Sequence, residues 1–206
     1  MGLIVSESGG GSNFSMLAEG SYAAVCYMLA DIGLQRSEYY GNSSHKIIIG
    51  WEIADEFVEI DGEKKPRVFS ARYTASLNEK AILRRDLAAW RGRDFTDEEL
   101  AQFNLRNIVG KPCLIQIIHK KASNGKTYAN LASVMKLPKS MIVPKLTLDP
   151  IVYDIDENDP GDVDKLPEWI ANQVKASETY QQRLREASGG VAKMSDFEDT
   201  DGEIPF

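Results

Sequence analysis

Apolar and polar residues alternate with the two-residue period of a β-strand over much of the chain. The clearest case is the segment 45–53, where Ile47, Ile49, Trp51 and Ile53 all fall on one face. Runs rich in β-branched and aromatic residues predict further strands on both sides of it. The five predicted strands are 20–34, 45–53, 66–74, 113–120 and 127–135.

Two helix starts are predicted between the third and fourth strands. Ser76 with Glu79, and Thr96 with Glu99, have the spacing of a capping box, in which a hydroxyl and a carboxylate satisfy free backbone N–H groups. The second helix should extend to Asn107, before a glycine and a proline end it. The apolar stripe of the first helix is predicted to be Leu83, Leu87 and Trp90.

Three strands in a meander, a helical insertion and a two-stranded hairpin give the order β-β-β-α-β-β. This is the order of a five-stranded Greek-key barrel, the OB-fold, although other small α+β folds share it. Asn124-Gly125 favours a tight hairpin between the last two strands, and Gly33 should bend the first strand. The predicted fold class is therefore mainly β with a helical insertion, an OB-fold-like five-stranded barrel over residues 20–148.

The segments that flank this domain differ from it in composition. The glycine-rich residues 1–19 predict a flexible N-terminal arm. Residues 149–165 hold seven acidic residues before their single lysine and predict an acidic linker. A sparse apolar stripe predicts an accessory helix over 166–188, and the small, acidic residues 189–206 predict a disordered tail.

The formal net charge of −7 conceals a strong polarity along the chain. Residues 61–148 carry 17 Lys and Arg against 8 Asp and Glu, whereas residues 149–206 carry 5 against 15. An anionic partner is therefore expected for the middle of the chain. No apolar run approaches the ~20 residues that a membrane-spanning helix needs, and no signal peptide is apparent. We expect a cytoplasmic protein that binds no membrane, with Cys26 and Cys113 reduced in its core.

Aromatic and basic residues occupy the parts of an OB-fold that contact oligonucleotides, which are one sheet face and the loops between strands one and two and strands four and five. Bases stack on aromatic rings, and lysine or arginine neutralises phosphates. The candidate nucleic-acid-binding residues are Tyr39, Tyr40, Lys46, Trp51, Arg72, Lys120, Lys121, Lys126 and Tyr128.

Each of these candidates also has a structural interpretation. Trp51 is in phase with the neighbouring isoleucines, which favours core packing. The lysines and Arg72 fit a solvated surface, and the tyrosines fit packing at the rim of the fold. The densest basic patch carries interspersed aspartates, which favours a solvated helix face; it comprises Arg84, Arg85, Arg91 and Arg93.

Residues 196–206, Asp-Phe-Glu-Asp-Thr-Asp-Gly-Glu-Ile-Pro-Phe, resemble the acidic C-terminal tip of bacterial single-stranded DNA-binding proteins (SSBs), which typically ends Asp-Asp-Ile-Pro-Phe. The remaining chain is unlike the usual bacterial SSB, so the combination resembles a phage or mobile-element member. The resemblance implies that the tip recruits replication and recombination proteins and competes with DNA for the basic groove. The tip residues implied are Asp199, Asp201, Glu203, Ile204, Pro205 and Phe206.

Enzymatic function is not expected. His45 and His119 lie in strand-like runs without the spacing of metal ligands, and no nucleophile has a neighbouring base. We therefore expect no catalytic residue, no metal and no cofactor. The predicted function is binding of single-stranded DNA without sequence preference in replication, recombination or repair. A protein-binding scaffold and a single-stranded RNA-binding protein remain as alternatives, and a homo-oligomer remains open.

Overall fold

The structure, a computed structural model, describes residues 16–37, 41–60 and 62–188. The strands are β1 (Gly20–Arg36), β2 (Ser43–Ile60), β3 (Glu63–Thr74), β4 (Pro112–Lys121), β5 (Thr127–Met135) and β6 (Ile151–Tyr153). The helices are α1 (Ile82–Arg91), α2 (Asp97–Gln102), α3 (Glu168–Lys175) and α4 (Glu178–Ser188). Two 3-10 helices span Leu105–Ile108 and Pro160–Lys165.

The main sheet is a curled antiparallel half-barrel with the strand order β3-β2-β1-β4-β5. This architecture, with its helical insertion between β3 and β4, is OB-like and confirms the predicted fold class. β1 is the central strand and changes partners along its length. Its first part pairs with β4 as far as Val25, and beyond an irregularity between Cys26 and Met28 it pairs in parallel with β6.

The first hydrophobic core fills the inside of the half-barrel and is covered by α1. The predicted stripe of α1, Leu83, Leu87 and Trp90, is buried, which confirms that prediction. Trp90 packs against Trp51 with ring centroids 6.2 Å apart, and its indole N–H donates to the carbonyl oxygen of Pro112 at 2.8 Å. Because α1 contacts both β5 and β3, it covers the gap between the two edges of the sheet.

The first predicted capping box is wrong. α1 begins at Ile82, and its N-cap, Ala81, makes no side-chain capping hydrogen bond. The Ser76 hydroxyl instead accepts the backbone N–H of Asn78, two residues on. This local turn uses the hydroxyl before a helix can form, which is a common alternative for serine.

The second capping box is confirmed, but the helix that it starts is shorter than predicted. The Thr96 hydroxyl accepts from the Glu99 backbone, and the Glu99 carboxylate accepts from the Thr96 backbone. α2 ends at Gln102. The Asn104 side chain then accepts the backbone N–H of Arg106 and begins a separate 3-10 helix, because asparagine favours a new cap over a helix interior.

The prediction of an acidic linker over residues 149–165 is also wrong. β6 pairs with β1, and three apolar side chains from this stretch, Tyr153, Ile155 and Val163, are buried in a second hydrophobic core. Most of its acidic side chains stay at the surface, so the stretch has the composition of a linker although its apolar residues anchor it.

The predicted accessory helix is two helices, and they are part of the core. Ile170 and Val174 of α3 are completely buried against the outer face of β1. Ser177 separates α3 from α4, and its hydroxyl donates to the Val174 carbonyl and accepts the N–H of Tyr180. We refer to β6, the second 3-10 helix, α3 and α4 as the C-terminal layer.

A buried carboxylate joins the half-barrel to the segment that leads into the C-terminal layer. Glu52 lies on β2 with only 6% of its surface exposed. It accepts hydrogen bonds from the Thr147 hydroxyl at 2.6 Å, the Thr147 backbone at 3.0 Å and the Leu148 backbone at 2.9 Å. These bonds fix the chain where it crosses from β5 towards β6.

Replacement of Gly33 should test the docking of the C-terminal layer. Gly33 has a φ of 69°, and a Cβ there would lie 2.8 Å from Ile155 Cδ1 and 3.0 Å from Ser177 Oγ. Gly125, with a φ of 79°, has nothing within 4 Å and is the matched control. In both alanine variants the free energy of unfolding should fall by about 1–2 kcal/mol, because alanine is strained in the left-handed backbone conformation. Gly33→Ala should lose about 1–3 kcal/mol more from overpacking, measured by urea unfolding. Equal losses of unfolding free energy in the two variants would show that Ile155 and Ser177 can move away from the added Cβ.

Candidate nucleic-acid interface

Two β-hairpins project from the same end of the half-barrel. β2 and β4 both run antiparallel to β1, so the turns that follow them extend beyond the start of β1, where Gly20 lies opposite Ile117. We name them the β2–β3 arm (residues 57–60 and 62–66) and the β4–β5 arm (residues 118–130). A register shift in β2, with Asp55 at a φ of 60°, separates the β2–β3 arm from the rest of the strand.

The β4–β5 arm holds four of the predicted site residues. Lys120, Lys121 and Lys126 are exposed, and no acidic side chain in the described part of the chain lies within 4 Å of their ammonium groups. Tyr128 lies opposite Lys120 in the ladder, and its hydroxyl accepts from the Asn124 amide at 3.0 Å. Cations without acidic partners therefore adjoin an anchored aromatic ring.

The β2–β3 arm contributes residues that the sequence analysis missed. Phe57 is 46% exposed, and the Lys64 ammonium lies 4.1 Å above the centre of its ring. Lys65 forms an exposed ion pair with Glu63 at 3.3 Å. The sequence does hold a signal for this arm, an aromatic residue at Phe57 and two lysines after Gly62. These residues were missed because the predicted second strand, 45–53, ends before them.

Lys46 and Arg72 form a second group near the far end of β3. The Lys46 ammonium donates to the Thr74 hydroxyl at 2.7 Å, and the Arg72 guanidinium donates to the Gln35 amide oxygen at 3.0 Å. Burial lowers the pKa of Lys46, and the neighbouring Arg72 charge lowers it further. Burial also lowers the pKa of Arg72. Both hydrogen-bond partners are neutral, so within the described residues these contacts leave the positive charges uncompensated.

β3 connects the two groups. It runs from Lys64 in the β2–β3 arm to Arg72, a distance of roughly 26 Å for eight residues of extended chain. The exposed Val68 lies between them. The outer face of β1, by contrast, is covered by the C-terminal layer. The uncovered part of the sheet that carries these cations therefore follows β3, an edge strand, and the two arms.

Of the predicted aromatic residues, one is buried and two lie outside the described chain. Trp51 is completely buried beside Trp90, and a ring without exposed surface cannot stack on a base, so its assignment to the site is wrong and the core interpretation holds. Tyr39 and Tyr40 lie outside the described residues. The six predicted tip residues between Asp199 and Phe206 also lie outside them.

The basic patch on and after α1 differs from the arms because its arginines are paired with acids. The ion pairs are Arg84 with Asp94, Arg85 with Asp86, and both Arg91 and Arg93 with Glu99. The hydrogen bonds from Arg93 and Arg91 hold the pKa of Glu99 far below its usual range. These pairs compensate the charge of the patch, so it offers less to a phosphate than the lysines of the β4–β5 arm.

No protein-family model matches the chain, and no curated protein sequence does. Within residues 16–37, 41–60 and 62–188, no group of three or more His, Cys, Asp and Glu side chains could hold a metal ion. In the same residues, no helix is long and apolar enough to cross a membrane. Burial raises the pKa of Cys26 to about 12, and that of Cys113 is raised by the same cause, so both stay protonated thiols.

The two histidines have structural partners. His45 Nε2 lies 2.6 and 2.8 Å from the carboxylate oxygens of Asp31, which also accepts the backbone N–H of Gly33. This arrangement ties the bend of β1 to the start of β2. The hydrogen bond to Asp31 raises the pKa of His45 despite its partial burial. The ring of His119 contacts the Leu17 carbonyl at 2.8 Å.

The His45–Asp31 pair should make the free energy of unfolding depend on pH. Because the folded-state pKa of His45 is raised, the stabilisation is complete below the unfolded value of about 6.5 and is lost as the pH rises through the folded pKa. Urea unfolding across this range should show the loss in the native chain. The same decline in His45→Gln and in Asp31→Asn would contradict this assignment.

Proposed function

We propose that the OB-like half-barrel binds single-stranded DNA without sequence preference, along the two arms and β3. The observation that carries the proposal is the cluster of Lys120, Lys121 and Lys126, which lack acidic partners in the described chain and adjoin the ring of Tyr128. Lysines that are not already paired can release counterions from phosphates. An aromatic ring offers a stacking surface that every base can use.

The composition of the surface supports single strands over duplex. Phe57 and Tyr128 can stack only on bases whose faces are free, and in a duplex the faces are covered by neighbouring base pairs. Point charges such as lysine contact phosphates, which carry no sequence information. Absence of sequence preference is therefore part of the proposal.

The acidic tip adds a second activity to the proposal. Its likeness to SSB tips supports recruitment of replication, recombination or repair proteins by residues 196–206, while the half-barrel holds the strand. In this proposal the protein is not an enzyme. It acts in the cytoplasm, which is the host cytoplasm if a phage encodes it.

Removal of lysines from the β4–β5 arm should weaken binding of fluorescent oligo-dT. Lys120→Ala with Lys121→Ala should lower the slope of log K against log salt by about 1.4, since each phosphate contact on a single strand contributes about 0.7. The matched control is Lys165→Ala with Lys175→Ala, which removes two lysines that are paired with Asp162 and Asp164. Anisotropy titrations across salt measure both variants.

Competitors decide between the candidate functions in the same assay. Duplex of equal length should compete poorly with oligo-dT, and a matched oligo-U strand tests the RNA alternative. Absence of binding at low salt would contradict the proposal and favour a protein-binding scaffold. Equal losses in the two lysine variants would remove the β4–β5 arm from the interface.

Stacking should be visible in aromatic variants. Phe57→Ala should weaken oligo-dT binding by about 5- to 150-fold, which corresponds to about 1–3 kcal/mol per stacked base. Phe57→Tyr retains the ring and should bind like the native chain. The pair Tyr39→Ala and Tyr40→Ala tests the loop between β1 and β2 in the same way. Unchanged affinity in a folded variant would exclude the replaced ring as a base platform.

A further inference from the structure

An apolar cavity of about 520 Å³ lies beside α1, at the end of β4 and β5 that is opposite to the β4–β5 arm. It lies among α1, the 3-10 helix Leu105–Ile108 and the segment 136–143. Its volume is within the range of ~300–1,000 Å³ typical of ligand sites. The apolar residues that line it include Leu87, Trp90, Phe103, Pro112, Leu137 and Val143.

Three lysines surround this cavity. Lys111, Lys136 and Lys139 line it and are exposed, and no acidic side chain in the described residues lies within 4 Å of their ammonium groups. The backbone N–H of Lys136 donates to the Ala89 carbonyl at 3.0 Å, which fixes the segment after β5 to the C-terminal end of α1. A cationic rim thus surrounds an apolar interior.

An exposed apolar run continues from the cavity onto the surface. Ile142 is 90% exposed and Val143 is 62% exposed, and Met141 beside them lines the cavity. Consecutive exposed apolar residues beside a cavity are typical of a binding surface, since water contact with them is unfavourable. The occupant should therefore combine apolar side chains with negative charge.

Residues 196–206 of this chain have that chemistry. Five acidic residues lie among them, and Ile204, Pro205 and Phe206 form an apolar group beside the acids. We propose that the cavity binds this tip of the same molecule, with Ile204 and Phe206 inside and the acidic side chains against Lys111, Lys136 and Lys139. Charge complementarity and apolar burial then act together.

The chain between the last described residue and the tip is long compared with the radius of the folded body. Fifteen residues separate Ser188 from Ile204, and their extended length is about 50 Å. A globular body of this size has a radius of gyration of about 16 Å. The tether therefore reaches a large part of the surface, and it holds the tip at a high effective concentration around the folded body.

The proposed contact gives the tip a site separate from the proposed DNA surface. It would withhold the tip from partner proteins without covering either arm. The contact goes beyond the proposed function and does not require that the protein bind DNA.

The test uses the full chain with its own tip disabled by Ile204→Ala and Phe206→Ala. A fluorescent peptide of residues 196–206 should bind it saturably in an anisotropy titration. Adding Lys111→Glu and Lys139→Glu should weaken peptide binding by at least about tenfold, because attraction at the rim becomes repulsion. The matched control carries Lys120→Glu and Lys121→Glu on the β4–β5 arm and should bind the peptide as before.

Two further measurements separate the outcomes. A peptide with Ile204→Ala and Phe206→Ala should bind weakly, and hydrogen exchange of 136–143 should be slower in the native chain than in the tip-disabled chain. Absence of peptide binding, or binding that survives charge reversal at the rim, overturns the proposal. Loss of binding only in the β4–β5 arm variant overturns it as well and assigns the tip to that arm.

Discussion

The two-sided burial of β1 is the constraint on which the structure depends. Ala24, Cys26 and Leu29 pack into the half-barrel, whereas Ala30 and Ile32 pack into the second core. A strand that is apolar on both faces needs a layer on each side. The irregularity between β1 residues 26 and 28 allows one strand to serve both, because β4 is its partner before that point and β6 after it.

This arrangement determines where a ligand can bind. An OB-like sheet would otherwise offer a broad outer face, but the C-terminal layer covers β1 and the adjoining part of β2. Groups of exposed cations remain on the arms, on β3 and around the cavity beside α1. The cations also differ in whether they form ion pairs. The arginines on and after α1 are paired with acids, whereas Lys120, Lys121 and Lys126 have no acidic partner in the described chain.

The pattern of apolar and polar residues correctly predicted those features that depend on residues close together in the sequence. β5 has the predicted bounds, the phase of Trp51 correctly favoured the core, and the turn lysines are exposed. The wrong helix bounds come from local side-chain turns at Ser76 and Asn104, and the wrong linker comes from an interaction between distant residues. The acidic stretch 149–165 is ordered by pairing with β1, which its composition does not reveal. Phe57 was missed because the register shift at Asp55 interrupts an alternation that resumes beyond it.

The order in which the chain is synthesised gives the second core a consequence of its own. The outer face of β1 leaves the ribosome first, while β6 and α3 follow more than a hundred residues later. At ~5–20 residues per second, this delay is on the order of ten seconds. Throughout that interval β1 carries an apolar face that its later cover has not yet reached, and such a face can attach to other nascent chains. Folding of the C-terminal layer ends this exposure, and in the folded chain Glu52 holds Thr147 and Leu148, the segment that leads into the layer.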